Sequence, residues 1–92
     1  MNIADAIYKK FSPEEREDFS LLAPYILVEI HIKYPFLTTL PEKKERFYET
    51  LLDIGASVLD ARLFVETKLP IIYEQMKRYE ALVQRHPVLH FF

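Results

Sequence analysis

Two of the three histidines stand four residues apart, a spacing at which one helix face can present two metal ligands. They are His86 and His90, and imidazole nitrogens at this spacing bind zinc in helical sites. Pro87 lies between them and interrupts helical hydrogen bonding, and no third ligand is close in sequence. We therefore expect His86 to cap a helix end and His90 to pack or face solvent, without a metal.

A run of carboxylates at residues 14–18 is a second candidate, in this case for a cation. Glu14 and Asp18 are four residues apart and would share a helix face. Carboxylates in the first turn of a helix more often stabilise the positive end of the helix dipole while remaining hydrated. We expect that role here, and no bound metal ion.

Two ionisable residues, Glu29 and Arg62, interrupt apolar runs. A buried carboxylate with a raised pKa would be a candidate acid–base group. However, Lys33 and Glu66 follow them at four residues, one helical turn away. We expect two ion pairs on the polar edges of helices.

Motifs for the commoner catalytic chemistries are missing from the sequence. It has no cysteine, and its single glycine cannot form a phosphate-binding loop or a nucleophile elbow. The serines are Ser12, Ser20 and Ser57, and the first has the setting of a helix cap. We expect neither catalysis nor a bound cofactor.

The composition indicates one folded domain covering residues 1–92. Half of the 92 residues are hydrophobic, with seven phenylalanines and six tyrosines, and the formal net charge is only −2. The longest apolar stretch, residues 21–32, is too short to cross a bilayer and contains charge. Residues 1–11 lack the apolar core of a signal peptide, so we predict a cytoplasmic protein without a membrane partner.

Prolines and capping residues divide the chain into helices. Asn2 is a good cap for a first helix reaching Phe11. The segment Ser12-Pro13-Glu14-Glu15 has the capping-box pattern for a second helix. Pro24 should kink or end that helix. The Thr39-Leu40-Pro41-Glu42 segment predicts another start.

Residues 25–34 fit two interpretations. Ile26, Val28, Ile30 and Ile32 alternate with other residues as in a strand. Read as a helix, Ile26 and Ile30 fall on one face. We favour the helix because the only other candidate strand is the short tail 88–92, and we expect it to end before Pro35.

The middle of the chain carries a heptad-like seam of apolar residues. Its steps of four and three continue in phase through Gly55, which predicts one long central helix of about 40 Å. The alternative ends a helix at Gly55 and restarts it at Ser57, with Asp60 at the third helical position. The seam consists of Phe47, Leu51, Ile54, Val58, Ala61 and Val65.

The last helix follows Pro70 and should end at His86. Glu74 is placed to pair with Arg78. This helix is mildly basic, and Lys77, Arg78 and Arg85 could contact nucleic-acid phosphates or bases. The chain has no wider basic stripe, so a small DNA-binding regulator is the alternative function and nucleic acid is not the favoured partner.

Together these patterns predict an all-α fold, a compact antiparallel bundle of four to five helices with one long central helix. We expect a non-catalytic interaction or regulatory module that binds itself, as a homodimer or larger assembly, or another protein. Its contact surface should combine the apolar tail with part of the seam. The predicted contact residues are Val88, Leu89, Phe91, Phe92, Phe47, Leu51 and Val58.

Overall fold

The computed structural model describes the backbone of residues 2–85 and the side chains of residues 2–80. This part of the chain is helical throughout apart from short connections, and it contains no strand, which confirms the all-α class. Its six helices are α1 (Ile3–Lys10), α2 (Pro13–Arg16), α3 (Phe19–Lys33), α4 (Leu40–Asp53), α5 (Val58–Thr67) and α6 (Leu69–Arg85).

The first two helices begin at the capping boxes that their sequences contain. At α1, Asp5 N–H donates to the Asn2 side chain at 2.8 Å, and the Asp5 carboxylate accepts from Asn2 N–H at 3.4 Å. At α2, Ser12 N–H donates to Glu15 Oε1 at 2.8 Å, and Glu15 N–H donates to Ser12 Oγ at 3.2 Å. Both helix starts are confirmed.

The second helix is divided in a way the sequence did not indicate. It ends after one turn at Arg16, and Asp18 caps a new helix by accepting a hydrogen bond from Leu21 N–H at 3.2 Å. Pro24 lies inside α3 and does not end it, because the helix continues to Lys33. Because Ser20 and Pro24 are exposed, water can reach the Ser20 carbonyl that residue 24 cannot bond.

Residues 25–33 are helical, so the strand alternative is wrong and the helix is confirmed. The C-cap of α3 is Tyr34, directly before Pro35, as expected. Leu22, Ile26 and Ile30 are fully buried on one side of this helix.

The predicted long central helix does not form, because the helix is interrupted at Gly55, between α4 and α5. Gly55 has a φ of +98°, which an L side chain rarely adopts. Gly55 N–H donates to the Leu52 carbonyl, and Ala56 N–H donates to the Leu51 carbonyl, both at 3.0 Å. This pair of bonds is a Schellman motif and ends α4.

The alternative restart at Ser57 is confirmed. Its Oγ accepts a hydrogen bond from Asp60 N–H at 3.1 Å, so α5 begins with its own cap. The next boundary lies near Pro70, as predicted, because α5 ends at Thr67. However, α6 begins at Leu69 and not after Pro70, which is its second residue and therefore needs no N–H there.

The core is formed by side chains from α1, α3, α4, α5 and the start of α6. Phe47 is fully buried in it and stacks on Phe64, with 5.9 Å between ring centres and 15° between ring planes. Phe19 meets Phe64 edge-to-face at 5.7 Å. The fully buried side chains include Ile7, Leu22, Ile26, Ile30, Phe47, Leu51, Val65 and Leu69.

Candidate functional site

A groove of about 590 Å³ lies between α3 and α6. It arises because α3 is apolar on nearly every side, while the core covers only one of them. Val28 of α3 remains 47% exposed and Tyr79 of α6 remains 69% exposed. The apolar walls are formed by Pro24, Leu27, Val28, Ile72, Met76 and Tyr79.

The rim of this α3–α6 groove is polar and partly basic. The ammonium groups of Lys43 and Lys77 lie 5.1 Å and 5.4 Å from the centre of the Tyr73 ring, and Lys43 donates to the Tyr73 hydroxyl at 3.4 Å. His31, Gln75 and Glu80 are the other polar residues that line the groove. An apolar floor inside a charged rim suits apolar side chains from another polypeptide.

The outer face of α3 extends this apolar surface beyond the groove. Leu21, Val28 and Ile32 are 47%, 47% and 64% exposed, and they are spaced seven and four residues apart. This spacing places them along one side of the helix. Sequence reasoning did not single out the groove, although this second apolar stripe was a signal that α3 has more than one apolar face.

The predicted seam folds into the core of the same molecule. Phe47 and Leu51 are 0% exposed and have no surface to offer a partner. Val58 is 63% exposed and is the one residue of the predicted seam contacts that reaches solvent. The predicted tail contacts Val88, Leu89, Phe91 and Phe92 lie outside the described residues.

The basic residues of α6 have partners nearby. Lys77 faces Tyr73, and Arg78 Nε lies 3.8 Å from Glu74 Oε1, which confirms the predicted pair of α6. Both cations are on the surface, and the Arg78 side chain is 80% exposed. The side chain of Arg85 is outside the described part.

Two carboxylates of the acidic run at residues 14–18, the candidate cation site, cap the starts of helices. Glu15 and Asp18 accept hydrogen bonds from backbone N–H groups at the caps of α2 and α3. Over the described residues, no three His, Asp or Glu side chains are grouped to hold a metal ion. The predicted positions His86 and His90 fall outside that range.

Arg62, one of the two ionisable residues that interrupt apolar runs, pairs with carboxylates of two helices. Its Nη1 lies 3.9 Å from Glu66 Oε1, as predicted, and donates to Glu45 Oε1 of α4 at 3.2 Å. This hydrogen bond raises the pKa of the guanidinium above its ordinary value. No local pattern indicated the Glu45 contact, because 17 residues separate the two positions. The other such residue, Glu29, is half-buried on α3.

Between residues 2 and 85, no helix is both long and apolar enough to span a bilayer. Comparison of the chain with models of protein families, with curated proteins and with solved structures found no match in any of the three.

Proposed function

We propose that this chain is a non-catalytic interaction or regulatory module that associates with copies of itself or with another protein. The observation that supports the proposal is the α3–α6 groove, in which Val28 and Tyr79 leave apolar surface exposed inside a polar rim. Apolar surface removed from water contributes about 25 cal/mol per Å² to association. A second polypeptide that covers these walls would gain this free energy.

The tail supplies a chemically matching contact. Val88, Leu89, Phe91 and Phe92 are apolar residues within a five-residue segment. Aromatic side chains are enriched in the buried centres of interfaces, because each buries about 150–250 Å². The proposed contact surface therefore consists of the tail and Val58. Phe47 and Leu51 are buried in the core and are not part of it.

The test is the molecular mass of the full chain over a series of concentrations, measured by sedimentation equilibrium and light scattering. We expect a dimer or larger assembly that becomes monomeric when residues 88–92 are removed. A mass and melting temperature that are both unchanged after this removal would count against the role of the tail.

The DNA-binding alternative stays a prediction. No described contact favours it, since Lys77 lies over Tyr73 and Arg78 pairs with Glu74.

A further inference from the structure

We propose that the α3–α6 groove of one molecule receives residues 88–92 of a second copy, and that the exchange is reciprocal. The inference rests on the proposed self-association and names its contact. The proposed contact joins the apolar α3–α6 groove to the apolar residues 88–92, which follow α6 in the sequence.

The chemistry of the groove fits aromatic side chains. Met76 offers a flexible thioether that adapts to ring edges. Tyr79 is 69% exposed and leaves much of its ring accessible to another aromatic side chain. The ammonium groups of Lys43 and Lys77 already lie over one aromatic ring at this end. The tail contains no acidic or strongly basic side chain that would meet the rim unfavourably.

The sequence after α6 favours a neighbouring molecule over the same one. Seven residues follow Arg85, and extended they span about 23 Å. His86 precedes Pro87, so its backbone is biased towards the extended region. To reach its own groove, the chain must reverse and return about 14 Å along α6 to Met76. Among the residue types common in turns, residues 81–92 contain Pro87 alone and no Gly, Asn, Asp or Ser to assist that reversal.

The buried area also agrees with a reciprocal exchange. Two phenylalanines bury about 300–500 Å² per tail, so two tails bury about 600–1,000 Å². The groove walls expose less area than the tails would bury, so the total is about 1,000–1,400 Å². This lies at the lower end of the range for specific interfaces.

The first experiment compares two glutamate substitutions on α3 of the full chain. Val28→Glu places a charge in the groove, whereas Ile32→Glu adds the same charge at an exposed apolar position that does not line it. We expect Val28→Glu to weaken dimerisation about tenfold or more, and Ile32→Glu to leave it within about twofold. Far-ultraviolet circular dichroism confirms that both variants remain folded.

The second experiment mixes complementary partners. The Val28→Glu chain has an intact tail, and the chain without residues 88–92 has an intact groove. Each alone should be monomeric at concentrations where the parent chain is dimeric. Their mixture should form a heterodimer held by one docked tail, detected by sedimentation velocity with a fluorescent label on one chain.

A third experiment separates docking between molecules from docking within one. Because the chain has no cysteine, the double variant Gln75→Cys and Leu89→Cys gives a clean disulfide readout. A product of dimer mass on oxidation supports the exchange, and a product of monomer mass overturns it in favour of self-docking.

The failure of this inference can be distinguished from the failure of the proposed function. If the parent chain is a dimer and neither Val28→Glu nor removal of residues 88–92 disrupts it, this inference alone is overturned. A parent chain that is monomeric at every concentration overturns self-association as well.

Discussion

The guanidinium carbon of Arg62 lies 3.9 Å from the centre of the Tyr48 ring, so a residue of α5 stacks on a residue of α4. The same guanidinium donates to Glu45 of α4 at 3.2 Å. Together with the buried Phe47–Phe64 stack, these surface contacts join α5 to α4 across the turn at Gly55.

Replacing Arg62 tests this connection. We expect Arg62→Lys to lower the melting temperature measurably although it keeps the charge. An ammonium has no planar face that could stack on Tyr48 while it bonds to Glu45. The loss should be smaller in Arg62→Lys than in Arg62→Leu. Because the hydrogen bond to Glu45 raises the pKa of Arg62, the stabilisation from its charge is complete below the ordinary arginine pKa and is lost only as the pH rises through the raised pKa, in strong base.

A thermodynamic cycle checks the assignment. Glu45→Gln combined with Arg62→Leu should destabilise the chain less than the sum of the single variants, as measured by thermal unfolding. Additive effects would show that Arg62 acts through contacts other than Glu45.

Gly55→Ala should lower the free energy of unfolding by about 1–2 kcal/mol, measured by urea denaturation. The reason is the positive φ alone, since an added Cβ would meet no atom within 4 Å. Gly55→Asn is the matched control and should cost less, because asparagine tolerates this backbone region better. An equal loss in both variants would contradict a conformational cause.

Phe47 and Val58 belong to the same apolar seam but should respond differently to truncation. Phe47→Ala should cost about 3–5 kcal/mol at any protein concentration, because Phe47 is fully buried within one molecule. Val58→Ala should change the stability of the monomer by less than about 0.5 kcal/mol, since Val58 is 63% exposed within one molecule. Unfolding at two protein concentrations provides the measurement, and a Phe47 effect that shrinks on dilution would instead place this residue at an interface.

The DNA-binding alternative predicts a gel shift at low salt that is lost when Lys77, Arg78 and Arg85 are replaced together. From the partners of Lys77 and Arg78 we expect no shift even for the parent chain. A shift that disappears in the triple variant would favour the nucleic-acid function over the protein-interaction function.

Local signals along the chain determined where most helices begin. The capping boxes at Asn2 and Ser12 need only residues within one helical turn, so their geometry follows from the sequence. The restart at Ser57 is equally local, with a cap that bonds Asp60. The all-α class was predictable for the same reason, because it is built from such starts and from the periodic spacing of apolar residues.

The tertiary structure alone decided which apolar faces are covered. The seam spacing correctly picks out buried positions such as Phe47, Leu51 and Val65, but spacing is the same whether a seam packs within a molecule or between two. Its unbroken phase also hid the break at Gly55. Val58 is exposed after the Schellman turn, but Ala61 and Val65 are buried again and keep the same spacing. The α3–α6 groove and the Arg62–Glu45 contact depend on how distant segments meet, and no local pattern encodes that.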